Sequence, residues 1–151
     1  MAELFAALIN NVVLLSALTA WLIAQLLKTV TSYWKHSRFD ARRLVGAGGM
    51  PSSHTSLVMA LAAAVGFKNG FESTAFAVAI VFAGIVMYDA AGVRRAAGKQ
   101  AKVINKLVQE LRAEHTLKES RLKELLGHTP LEVLAGALLG IATAYAFHRC
   151  Y

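Results

Sequence analysis

Three short stretches of this sequence gather the side chains able to do chemistry. The first runs Gly46-Ala47-Gly48-Gly49-Met50-Pro51-Ser52-Ser53-His54. Its glycines permit a tight backbone, and Pro51 then starts a helix whose first N–H groups point outward and attract anions. Lys35, Arg42 and Arg43 stand just upstream, and guanidinium forks hold phosphate oxygens in pairs. Ser52 and Ser53 count with them as anion-binding groups. His54 falls in the first helical turn, close enough to exchange a proton with whatever is bound. The plainer reading is a loop with a serine cap and an interfacial histidine.

The second stretch, Gly127-His128-Thr129-Pro130-Leu131-Glu132, supports two readings. Thr129 as N-cap, Pro130 at the first helical position and Glu132 three after the cap make a capping box, in which Glu132 satisfies backbone donors. Alternatively the carboxylate holds one ring nitrogen of His128, raises the basicity of the imidazole and leaves the other nitrogen to attack an electrophile. The two roles are compatible. In the third stretch, Tyr88 to Arg95, an acid and two arginines lie at the end of an apolar run. Ionisable groups at membrane depth face a partner or a polar cavity. Asp89 is expected to pair with Arg94 or Arg95, either of which could also reach a phosphate. His36, His115, His148 and Cys150 receive no role, and no cluster has zinc-ligand spacing.

The elements that must position these groups are set by an apolar composition. Of 151 residues 56% are hydrophobic and 17% charged, against roughly 45–50% and 25% in soluble domains. With a mean hydropathy of +0.49, so small a chain needs lipid as a second solvent. The N-terminus carries no basic stretch before its apolar run, so no cleavable signal is expected. Four crossings are expected, at Leu4–Leu27, at Ser52–Phe67 as a short span, at Thr74–Val93, and at Leu131–Phe147 with Gly136 and Gly140 in G-x-x-x-G spacing. Between Gly98 and Leu126 charged residues alternate with Val103, Leu107, Leu111, Leu117, Leu122 and Leu125. That periodicity predicts an amphipathic helical hairpin on the membrane surface, broken near His115-Thr116. The fold class is therefore all-α: one membrane domain over 1–151, about four transmembrane helices and cytoplasmic interfacial amphipathic helices.

Charge placement sets the expected orientation. Fourteen of the sixteen Lys and Arg residues, Lys28 included, fall in the loops 28–53 and 94–128, and only Lys68 and Arg149 fall elsewhere. Loops kept in the cytoplasm are enriched in basic residues, so both long loops are expected inside and both termini outside, in the cell membrane. This accounts for the net charge of +7 without nucleic acid, for which there is no motif. All three chemical stretches then arrive at one membrane face.

Lys35-x6-Arg42, Pro51-Ser52-Ser53-His54 and His128-x3-Glu132, in that order, resemble the three-part signature of the type 2 phosphatidic acid phosphatase superfamily, K-x6-R-P, P-S-G-H and S-R-x5-H-x3-D. The whole chain resembles the divergent membrane branch of that superfamily, related to acid phosphatases and vanadium-dependent haloperoxidases. The resemblance implies that His128 takes the phosphoryl group, Glu132 orients it, His54 protonates the leaving group, and Lys35 and Arg42 hold the oxygens. Arg43 stands where the signature has proline, Ser53 where it has glycine, and Glu132 where it has aspartate. Ser120-Arg121 precedes His128 by one residue more than the signature, which on a helix turns a side chain by about 100°, so Arg94 or Arg95 is expected to fill that place. Four spans are fewer than the superfamily's usual six-helix core, so interfacial helices or a second copy of the chain complete it. The expected function is a metal-independent, cofactor-free phosphatase acting on a lipid phosphate or isoprenyl diphosphate. The alternatives are an inactive lipid-phosphate-binding scaffold and, more remotely, a transport component.

Overall fold

The computed structural model describes residues 1–36, 49–112 and 127–151, and among the described residues every regular element is helical. The helices are α1 (Ala2–Ile9), α2 (Val12–His36), α3 (Ser53–Asn69), α4 (Thr74–Tyr88), α5 (Arg94–Arg112) and α6 (Pro130–Cys150), with a π-helical turn, Asp89–Val93, between α4 and α5. Helical stretches long and apolar enough to cross a membrane are Val12–Ser32, Thr74–Gln109 and Pro130–Cys150. The second of the four expected crossings is α3, whose 17 residues span about 25 Å; it lies among the others.

Several boundaries differ from those read in the sequence. The first apolar run is two helices, because Asn10 closes α1 and the Asn11 side chain accepts from the Leu14 backbone N–H at 3.2 Å. A short amide side chain there satisfies a backbone donor and favours a cap over continued helix. At its other end the helix does not stop at Leu27 but continues to His36, so Lys28 is a helical residue and not a loop one. Helix α3 begins at Ser53 with Ser52 as cap, and Pro51 precedes the cap. The expected surface hairpin is continuous with the third span through the π-helical turn, and α5 presents Val103, Ile104 and Leu107 exposed. Its break near His115-Thr116 lies outside the described residues.

Helix α3 packs against α2, α4 and α6. The interior they share is built of small residues: Ala17, Ala20, Ala24, Ala60, Ala62, Ala83, Ala137 and Ala144 are buried, whereas Leu22, Leu26, Val81, Phe82, Ile85, Leu134 and Leu138 are exposed. In water this would be inside out. Lipid tails are as apolar as leucine, so helices there associate through close backbone approach at small residues and leave their large side chains to the bilayer. The closest approach is between α3 and α6. A Cβ on Gly136 would come within 2.5 Å of the Ser52 carbonyl oxygen, and one on Gly140 within 2.5 Å of that of Ser56. The Ser56 hydroxyl donates across the same seam to the Gly136 carbonyl at 2.9 Å.

These contacts also fix direction. Ser52 meets Gly136 and Ser56 meets Gly140, so α3 and α6 run parallel with their N-termini together. Helix α4 returns antiparallel to α3 after the turn at Gly70, which adopts φ +89°, and Lys28 near the far end of α2 meets Ser53 at the start of α3. One end of the bundle thus collects the later part of α2, the N-termini of α3 and α6, and the π-helical turn. At the other end Phe67 stacks on His148 with ring centroids 4.9 Å apart.

Candidate functional site

The end where two helix N-termini meet is held by backbone hydrogen bonds between elements distant in sequence. The Ser52 N–H donates to the Glu132 carbonyl at 3.0 Å, and the His128 N–H donates to the Ala90 carbonyl of the π-helical turn at 3.0 Å. These bonds bring the first, second and third chemical stretches together.

His128 is 3% exposed, and its Nδ1 lies 3.2 Å from Glu132 Oε2. The same oxygen accepts from the Thr129 N–H at 3.0 Å, while the Thr129 hydroxyl accepts from the Glu132 N–H at 3.3 Å, completing the capping box. Glu132 therefore makes the capping contacts and the histidine contact at once. With Nδ1 against the carboxylate, Nε2 is the nitrogen turned toward other partners. His54, exposed in the first turn of α3, brings its ring centroid to 6.5 Å from that of His128, with the planes tilted by 59°.

Ser52 and Ser53 are both buried but differ in use. The Ser52 hydroxyl caps α3, accepting from the Thr55 N–H at 3.4 Å and the Thr55 hydroxyl at 3.0 Å. The Ser53 hydroxyl accepts from the Lys28 ammonium at 3.1 Å. Asp89 opens the π-helical turn and is half-buried. Lys35 is in the last turns of α2, and Arg94 and Arg95 begin α5; the side chains of these three lie outside those described, as do Arg42, Arg43 and Arg121 altogether, and with them the expected pairing of Asp89 with an arginine.

Lys28 is the site residue that the sequence reading passed over. It is 1% exposed and reaches Gln25 Oε1 at 2.8 Å as well as Ser53. Gly49, at φ +97°, lies over its stem, where an added Cβ would come within 2.9 Å of the Lys28 Cγ. The signal was available: Gln25 and Lys28 are one turn apart within Ala24 to Val30, an otherwise almost wholly apolar stretch. Ending the first span at Leu27 assigned that lysine to a loop.

The chain matches the Divergent PAP2 family over residues 9–143. It belongs to that family. A relative, the uncharacterized membrane protein YuiD of Bacillus subtilis (strain 168), is 43% identical over 145 residues, covering 89% of this chain and 92% of its own length. No solved structure matches. As a Divergent PAP2 family protein, the chain is a membrane protein in contact with the lipid bilayer, helical in every regular element among the described residues.

Proposed function

We propose that this Divergent PAP2 family protein is a metal-independent phosphatase that hydrolyses a lipid-linked phosphate or diphosphate through a phosphohistidine. The observation that supports it most is the pair of imidazoles 6.5 Å apart, one with its Nδ1 against a carboxylate at 3.2 Å. His128 Nε2 attacks phosphorus and forms the N–P bond as the bond to the leaving oxygen breaks. His54 gives its proton to that oxygen, then takes one from the water that hydrolyses the N–P bond. Glu132 stabilises the positive imidazole and keeps the ring in one tautomer. Ser53, Lys35, Arg42, Arg43 and one of Arg94 and Arg95 hold the phosphoryl oxygens, with Ser52 contributing through the N-terminus of α3. The site faces the cytoplasm, because the basic stretches 28–53 and 94–128 of the sequence both start and end at its end of the bundle.

The test is phosphate release by purified protein from short-chain phosphatidate and from isoprenyl diphosphate, with and without orthovanadate. Release by wild type, its inhibition by vanadate and its loss in His128→Ala are expected. Equal release by wild type and His128→Ala overturns the phosphohistidine. Phosphate binding with no release of product from any substrate would leave an anion-binding scaffold in its place.

A further inference from the structure

We propose that Lys28, which has no counterpart in the three-part signature, is a binding residue of this site and donates an N–H of its ammonium to an oxyanion seated between the N-termini of α3 and α6. The inference rests on the phosphatase reading for the identity of that anion.

The argument is one of charge. An ammonium has three donors, and among the described residues Lys28 spends two, on Gln25 Oε1 at 2.8 Å and Ser53 Oγ at 3.1 Å. Both acceptors are neutral. A buried charge served by neutral oxygens is costly unless an opposite charge is close. Its position adds to the cost, because Ser53 is the first residue of α3 and the N-terminus of α6 adjoins through the bond from Ser52 to Glu132. Helix N-termini carry partial positive charge and disfavour a cation. Among the described residues Glu132 is the carboxylate whose charge acts on this ammonium, and its Oε2 is engaged by His128 Nδ1 and the Thr129 N–H. Among the described residues the carboxylates at this end are Glu132 and Asp89 of the π-helical turn, Lys28 hydrogen-bonds to neither, and its ammonium keeps one N–H beyond those given to Gln25 and Ser53. An arriving phosphate meets both conditions. Gly49 belongs to the same device, since any side chain there would press on the Lys28 stem.

A lysine that merely ties α2 to α3 would affect folding but not anion affinity, so affinity is the readout. Orthovanadate binding to the full chain in detergent is measured by calorimetry for wild type, Lys28→Gln, Lys28→Arg and Gly49→Ala, with circular dichroism as the check on folding. The expected result is at least a tenfold loss of affinity in Lys28→Gln, partial recovery in Lys28→Arg, and a loss in Gly49→Ala. Unchanged affinity in folded Lys28→Gln overturns the proposal and leaves the phosphatase reading standing. Should Lys28→Gln not fold, Gly49→Ala decides in the same sense. No vanadate binding by wild type also overturns it. If affinity falls in Lys28→Gln while His128→Ala still releases phosphate, the phosphohistidine fails and Lys28 stands.

Discussion

Glu132 shows how one side chain can serve the backbone and the site together. Its Oε2 takes a hydrogen bond from the Thr129 N–H at 3.0 Å and lies 3.2 Å from His128 Nδ1. The two services separate by mutation. Glutamine also completes a capping box, so Glu132→Gln should keep the melting temperature close to that of wild type. On the proposed mechanism it removes the charge that stabilises a positive imidazole, and should lower turnover on the order of 10²-fold or more. Glu132→Ala should lose turnover equally and about 1 kcal/mol of stability besides. Thermal melts and initial rates on the two variants check both halves; equal stability loss in both variants would contradict the division. At this scale the box was legible, because Thr-Pro-x-Glu is a local pattern. Lys28 was only half legible: its apolar neighbours from Ala24 to Val30 mark it as an interior cation, but its partner Ser53 lies twenty-five residues away.

Among elements, the seam between α3 and α6 decides whether the site exists. Gly136 and Gly140 admit α3 so closely that a methyl group at either would meet main-chain oxygen at 2.5 Å, and a backbone cannot swing aside as a long side chain can. Gly136→Ala and Gly140→Ala should therefore each cost roughly 1–3 kcal/mol, read from denaturant unfolding in detergent, and should reduce activity by parting Ser52 from Glu132. Gly84 on α4 is the control. Nothing lies within 4 Å of a Cβ there, so Gly84→Ala should be neutral or stabilising by up to about 1 kcal/mol. The G-x-x-x-G spacing marked α6 as a close-packing helix, but its partner could not be read, since the matching surface on α3 is main chain. The break at Asn10-Asn11 went unread for a related reason: the apolar run continues across it, and a capping amide is visible only once the Leu14 N–H is seen to reach it.

Taken whole, the molecule has a chemical end and an aromatic end. On the proposed orientation the chemical end faces the cytoplasm, and the C-terminus of α6 faces outward. Cys150, the chain's single cysteine, is exposed there and carries no disulfide. In intact cells it should react with a membrane-impermeant maleimide to the same extent as after permeabilisation. Labelling that requires permeabilisation would reverse the orientation and turn the site outward.

Composition and the spacing of apolar runs were enough to make this a helical membrane protein, because the bilayer demands satisfied backbone groups and apolar surface over lengths that any reader can count. The caps at Thr129 and Ser52 were equally local, the second read one residue into its helix. What only the tertiary structure decided was which groups share a space: His54 beside His128, the π-helical turn bonded to the His128 N–H, and a lysine drawn from the interior of α2 to the first turn of α3. Those meetings depend on helices sliding together at alanine and glycine until main chains nearly touch, and a linear order of residues does not state that distance.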